Sequence, residues 1–307
     1  MEHSPGPGAM TWRGQAPGSA TARPTDLKGA AALMIVAAGL FALMGMAVQI
    51  ASMELPSPLV VFFRNAFGLL VLVAWFPGIR SAGLKTRRGW GHLVRSLSGL
   101  AAMYCFFLAM AHMRLADAIC LNYSMPLFLP FIERVWLRER MRRAASVSIV
   151  LGFAGVMLIV KPGTTVFQPL AVVGILAAVF AAVAQVGVRR LTTTEPPTRI
   201  VFYFGLMGTI VAALPLPTVW KPPTPVTWAV LLGIGCLATL AQMAMTHAFG
   251  KAPAAQVGPF IYAAVPIAAL LDYLRLGRIP DTLSLVGAFL IVGAGIWMVR
   301  MGSGPRG

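Results

Sequence analysis

The sequence predicts an all-α integral membrane protein with ten transmembrane helices in two inverted five-helix repeats. Three observations predict it. Hydrophobic residues make up 58% of the 307 residues and charged residues 11%; about 25% charged is usual in a soluble domain, so a soluble fold of this size could not cover its surface. The apolar residues fall in runs of about 20, the length a helix needs to cross a bilayer core of about 30 Å. The second half of the chain also restates the first at a nearly constant offset.

Residues 1–28 are rich in Pro, Gly, Ser and Thr and hold no apolar run, which reads as a disordered cytoplasmic tail. The first apolar run is too long for a signal-peptide core and has no cleavage site of small residues, so it is expected to remain as a span. In chain order the predicted spans are Gly29–Gln49, Pro58–Phe76, Trp90–Ala111, Ala116–Val135, Ala145–Val160, Pro169–Val188, Ile200–Leu216, Val226–Phe249, Ala254–Leu274 and Leu283–Val299. Residues 302–307 form a second cytoplasmic tail. The loops are too short to hold a soluble catalytic domain. Cys105, Cys120 and Cys236 lie inside apolar runs, far apart and without metal-ligand spacing, and are expected to be free buried thiols.

In a soluble chain a net charge of +16 would suggest nucleic acid. Here the cations sit in short loops between apolar runs and form no patch on a folded domain, so no nucleic-acid partner is expected. Topology accounts for them. With the amino terminus in the cytoplasm, eighteen Lys and Arg fall in cytoplasmic segments and five outside, while Arg64 and Arg95 lie within spans. Lysine and arginine are retained on the cytoplasmic face. Both termini are therefore predicted there, which requires an even number of spans.

Val60-Val61-Phe62-Phe63 precedes Ile200-Val201-Phe202-Tyr203 by 140 residues, and Gly68 with Gly208 and Pro77 with Pro217 share that offset. Further on the offset is 139: Tyr123 meets Tyr262, Glu133 meets Asp272 and Glu139 meets Arg278. Residues 29–161 and 162–301 are thus expected to be two units of five helices. Five is odd, so the second unit crosses the membrane in the opposite sense. Each unit can adopt the conformation its partner has just left. That symmetry favours alternating access over a continuous pore.

Several motifs resemble the EamA-type branch of the drug/metabolite transporter superfamily. They are Phe63-Arg64-Asn65 with Gly68, then Arg95, Leu115-Ala116-Asp117-Ala118, Pro126, and Leu137-Arg138-Glu139-Arg140 leading into Gly152-Phe153-Ala154-Gly155. In the second half Pro253-Ala254-Ala255, Pro259-Phe260-Ile261-Tyr262 and Ile279-Pro280-Asp281 resemble the companion repeat. The resemblance covers about residues 27 to 301. It implies a multi-pass protein of a bacterial inner (plasma) membrane that carries a small molecule; its oligomeric state, monomer or homodimer, is left open. Members carry amino acids, sugars, vitamins, nucleoside-type cofactors or metallophore-like metabolites. One departure is Leu276-Gly277-Arg278, where the second repeat usually has Leu-Gly-Glu, so an ion pair implied there is in doubt.

Ionisable groups inside spans are costly and mark function. Arg64 lies about a third of the way into the second span, and its repeat counterpart is Phe204; Arg95 lies near the start of the third span. Either could pair bidentately with a substrate carboxylate or phosphate, or reach to the nearer interface as long side chains do. Asn65 adjoins Arg64 but projects about 100° around the helix. Pro126 and Pro130 interrupt the fourth span, and Pro259 and Pro266 the ninth. Interrupted helices at matching places in two halves point to a transporter's site. The candidates there are Asn122 and Tyr123, with Ser124, and Gln256 and Tyr262. Tyr104, Gln185, Tyr203, Gln242 and His247 complete the candidate substrate-binding set, and Trp228 is a further aromatic within a span. Helix–helix hydrogen bonding explains any one of them as well.

No span has a carboxylate near its centre; Asp117, Glu133 and Asp272 lie near ends. Proton coupling would need one of these, His247, or the cargo's own charge. No Gly-x-Ser-x-Gly or His-Glu-x-x-His motif occurs, and four histidines with three cysteines form no ligand cluster, so neither an enzyme nor a metal or cofactor is expected. The expected function is a secondary transporter exporting a small amino-acid-derived anionic or zwitterionic metabolite, an amino acid or an opine-type metallophore. The alternatives are an importer of a nucleoside- or flavin-like cofactor and a broad-specificity drug/metabolite exporter.

Overall fold

A computed structural model describes residues 26–75, 83–112, 119, 121–138, 143–161, 171–276 and 281–302. The expectations for the two tails at residues 1–25 and 303–307, for Cys120, for Asp117, for Glu139 and for Arg278 lie outside the described residues. The first half holds α1 (Leu27–Ser52), α2 (Ser57–Trp75), α3 (Gly89–His112), α4 (Met125–Trp136) and α5 (Arg143–Val160). The second holds α6 (Ala171–Leu191), α7 (Pro197–Ala213), a single turn α8 (Leu216–Val219), α9 (Pro225–Lys251), α10 (Ala254–Val257), a 3-10 segment (Gly258–Ala263), α11 (Ala264–Leu276) and α12 (Thr282–Gly302). Among the described residues, seven helical segments are long and apolar enough to cross a membrane. With α3, α4 and the shorter α7 they make the predicted ten-helix arrangement.

Helices begin where the sequence supplies a cap. Asp26 accepts the Gly29 amide at 2.8 Å before α1. Thr224 does the same for Thr227 before α9, whose first residue is Pro225; proline at that position gives up an amide that has no helical partner anyway. The ninth span is interrupted around Pro259, as predicted, whereas Pro266 stays inside α11. α10 ends after one turn, the backbone tightens from Gly258 to Ala263, and α11 resumes. The fourth span breaks at Tyr123-Ser124, just ahead of Pro126, while Pro130 stays inside α4.

Ties at helix ends fix the directions. Lys251, at the end of α9, pairs with Asp26 at the start of α1 at 2.7 Å. Arg189, near the end of α6, donates to the carbonyls of Phe249 and Gly250 at 3.1 and 3.3 Å. The start of α1 and the end of α6 therefore share one face of the molecule. These two helices open the two halves, so the halves run in opposite senses.

Packing repeats under the exchange of halves. α1 lies along α9 as α6 lies along α3; α2 contacts α9 as α7 contacts α3; α4 packs on α6 as α11 packs on α1. Two pairs map onto themselves, α2 with α7 and α5 with α12. The pseudo-two-fold axis passes through both crossings. At the second crossing the Ser148 hydroxyl donates to the Ala294 carbonyl at 2.9 Å. There, too, a Cβ on Gly155 would lie 2.6 Å from the Gly287 carbonyl oxygen. An offset of 139 carries Ser148 onto Gly287 and Gly155 onto Ala294, so the two contacts are images of one another.

Between helices the faces are alanine-rich: Ala30, Ala37, Ala177, Ala182, Ala241 and Ala248 are fully buried. Small residues let backbones approach where lipid is as apolar as the interface. Large apolar side chains such as Val36, Leu70, Phe131 and Phe289 point outward, as a bilayer-facing surface requires.

Candidate functional site

α2, α7 and α9 enclose a cavity beside the first axial crossing. Arg64 and Asn65 reach it from α2, Phe204 from α7, and Thr239 and Gln242 from α9. Its volume of about 30 Å3 admits about two waters. The cavity is partly open to its surroundings, and in this arrangement it is too small to hold a metabolite. The helices meet closely here: the Thr239 hydroxyl donates to the Gly68 carbonyl at 2.8 Å, and a Cβ on Gly235 would fall 2.9 Å from the Gly68 nitrogen. Phe63, Phe67 and Trp228 form an aromatic wall next to it, the Phe63 and Trp228 centroids 4.8 Å apart.

Arg64 and Asn65 both line the cavity. The Arg64 Nη1 donates to Asn65 Oδ1 at 3.3 Å, and Asn65 Nδ2 donates to the Val61 carbonyl at 2.9 Å. The backbone contact orients the amide and turns its oxygen toward the guanidinium.

Arg95 is 2% exposed, so it reaches no interface. Its guanidinium carbon sits 4.1 Å from the centroid of the Phe204 ring. The Arg95 Nε has no hydrogen-bond partner. Gly99, one turn along α3, leaves space for the stack: a Cβ there would lie 2.7 Å from Arg95 Nη1 and 3.0 Å from Phe204 Cε2. Among the described residues neither Arg64 nor Arg95 has a carboxylate in ion-pairing distance. A charged side chain within a span is costly, up to roughly 2.5–3.5 kcal/mol at its centre on insertion scales, and here two stand in one half with no counter-charge among the described residues.

A second group forms where the interrupted spans meet. Tyr262 is fully buried, its ring against Gly152, and the Tyr123 centroid is 6.5 Å away. Glu133, 3% exposed, accepts the Ala254 amide and, at 2.9 Å, the Ala255 amide. It thereby anchors the start of the ninth span to the end of the fourth. Asn122 lies half-buried ahead of Tyr123, and Gln256 half-buried in α10.

The remaining sequence candidates lie apart from the cavity. Gln185 is on α6, where its Nε2 donates to Met245 Sδ at 3.4 Å. Tyr203 donates its hydroxyl to the Leu84 carbonyl at 2.7 Å and so holds the loop before α3. Tyr104 is 36% exposed on α3. His247 is exposed on α9, with Nδ1 bonded to the Met243 carbonyl at 2.8 Å. The cavity thus gathers Arg64, Asn65 and Gln242 from the candidate set.

Two participants escaped the sequence reading. Thr239 is legible only once α2 and α9 are known to cross. His92 lies three residues before Arg95, on the same helix face, and is 2% exposed. Its ring stacks on Tyr203 with centroids 4.5 Å apart. Nearby, Thr86 donates to Glu195 at 2.7 Å, Arg199 pairs with Glu195, and Arg199 Nε donates to the Gly83 carbonyl at 3.0 Å. Burial pushes the Glu195 carboxyl up, but the bonds from Thr86 and Arg199 outweigh it and hold it below the usual carboxylate range.

Comparison with known proteins places this arrangement. Residues 28–161 and again 169–301 match the EamA-like transporter family. The chain is 35% identical over 285 residues to the pseudopaline exporter CntI of Pseudomonas aeruginosa, covering 91% of this chain and 98% of that one. It is 31% identical over 271 residues to a riboflavin transporter of Vibrio cholerae, 85% of this chain and 90% of that one. It is 25% identical over 240 residues to an S-adenosylmethionine uptake transporter of Rickettsia bellii, 78% of this chain and 82% of that one. A solved crystal structure 21% identical in sequence superposes with a TM-score of 0.76 over 89% of this chain and 97% of its own, and shares the fold.

Proposed function

This chain belongs to the EamA-like transporter family, and from that premise we propose that it exports a small amino-acid-derived anion or zwitterion by alternating access, both termini facing the cytoplasm. One observation carries the reading: Arg64, uncompensated by any described carboxylate, lines a small cavity beside the pseudo-two-fold axis. A guanidinium with open donors at a small, mostly apolar cavity is a receptor for carboxylate. Asn65, Thr239 and Gln242 supply neutral donors and acceptors around it for an amino group or an amide. The pseudopaline exporter among the relatives supports the export direction and a metallophore-like cargo. The excess of loop cations on one side supports the orientation.

Counterflow in proteoliposomes, with a panel of amino acids, opine-type compounds, sugars and flavins, tests the reading. An anionic or zwitterionic amino-acid derivative is expected to exchange, and Arg64→Ala to lower that exchange at least tenfold. Normal transport by Arg64→Ala refutes the anion argument. A second reading, carriage of a flavin- or nucleoside-like cofactor, draws on the Tyr123–Tyr262 pair and on the riboflavin and S-adenosylmethionine transporters among the relatives. Exchange of riboflavin with amino-acid derivatives inert selects it.

A further inference from the structure

We propose that Arg95 is a second anion-binding group of the same site, screened from the cavity by Phe204, and that the cargo carries two carboxylates. This rests on the reading that Arg64 receives an anion. Phe204 lines the cavity and at the same time underlies the Arg95 guanidinium at 4.1 Å. The ring is therefore the partition between Arg95 and the space that Arg64 enters. Arg95 is buried, its Nε is unpartnered, and no described carboxylate pairs with it. A packed structural arginine would have its donors filled; among the described residues a ring face is the compensation seen for this charge. Phe204 borders the space that Arg64 lines and also underlies the Arg95 guanidinium, so two cations flank one ring. One carboxylate neutralises only one of them.

Phe204 can turn about χ1 between staggered positions. When the ring swings aside, Arg95 opens to the cavity, and a ligand with two carboxylates on a short backbone spans both cations. The cation–π contact then acts as a latch that the second carboxylate releases. An amino acid with a single carboxylate leaves the latch closed. The site thereby selects doubly anionic N-carboxyalkyl amino acids over simple ones.

The test measures counterflow of two radiolabelled probes in proteoliposomes: an N-(carboxyalkyl) amino acid with two carboxylates, and its mono-amide with one. A lost charge-assisted contact is worth about tenfold or more, so the wild-type protein is expected to prefer the dicarboxylate by about that factor. Arg95→Gln is expected to bring the dicarboxylate down to the rate of the mono-amide and to leave the mono-amide unchanged. Arg95→Lys keeps the charge and the fold but loses the planar fork, and is expected to retain about a threefold preference. Equal loss on both probes in Arg95→Gln makes the residue merely structural and overturns the proposal, as does a wild-type preference kept in Arg95→Gln. Equal carriage of both probes by the wild-type protein overturns it too, while leaving anion transport through Arg64 standing. Carriage of neither overturns both.

Discussion

The guanidinium of Arg95 lies over the ring of Phe204, which holds in the second half the position that Arg64 holds in the first. The pseudo-symmetry that repeats the helix packing is thus broken at its chemistry. Both intramembrane arginines come from one half, and the other half supplies the ring that one of them rests on. A cation–π contact in a desolvated site is worth about 1–2 kcal/mol. Phe204→Leu is expected to remove that screen and lower the KM for a dicarboxylate by about fivefold, at the size of one such contact. Initial-rate counterflow checks it; an unchanged KM shows that the ring does not guard Arg95.

The α2–α9 crossing has no room for a methyl group. A Cβ on Gly235 would come within 2.5 Å of Phe67 Cβ and 2.9 Å of the Gly68 nitrogen. Backbone cannot move aside as a side-chain tip can. Gly235→Ala is expected to cost about 1–3 kcal/mol, as overpacking does, and thermal unfolding in nanodiscs measures it. Gly233→Ala, on the same helix with nothing within 4 Å, is the control and is expected to leave the midpoint unchanged or raised.

Glu133 links the halves through two amides of α10. Glu133→Gln keeps the shape, removes the charge and lets an NH2 group face an amide donor. Roughly 1–3 kcal/mol of stability is expected to go with a buried donor left unpaired. Hydrogen exchange should rise at residues 254–257 before it rises elsewhere; uniform exchange would show that the carboxylate is not the anchor.

Tyr203 and the loop before α3 form a strap at one end of the molecule. Tyr203→Phe removes the bond to the Leu84 carbonyl and leaves the ring stacked on His92. The expected loss is about 0.5–1.5 kcal/mol, with faster thiol labelling of a cysteine placed at Leu84. Equal labelling in both proteins would show that the hydroxyl holds nothing in place.

At the opposite end Lys161 pairs with Asp281, and the hydrogen bond from Lys161 holds the Asp281 carboxyl down at about 2. A depressed carboxylate stabilises the fold above its unfolded value of about 3.9. That contribution is lost as the pH falls through about 2. Both side chains are exposed, so the tie is weak and salt-screened. Lys161→Met is therefore expected to match the wild-type unfolding profile below pH 2 and to fall slightly below it from pH 4 upward. A difference that grows toward acid contradicts the assignment.

The sequence by itself determined the ten-helix architecture, its two halves, the interrupted ninth span and the presence of two arginines within spans. Those follow from run length, offset and proline chemistry, which are local or periodic and survive in one dimension. Only the tertiary structure decided which polar groups share a space. Gln242 joins Arg64 and Asn65 because α9 crosses α2 at Gly68, whereas His247, five residues further along α9, turns outward and Gln185 meets a methionine sulfur on α9. Thr239 entered the site by the same crossing, and Phe204 by the crossing of α7 with α2. A helix sequence fixes the angle between its own side chains, but the rotation of that helix about its axis is set by its neighbours, through glycine contacts more than a hundred residues apart.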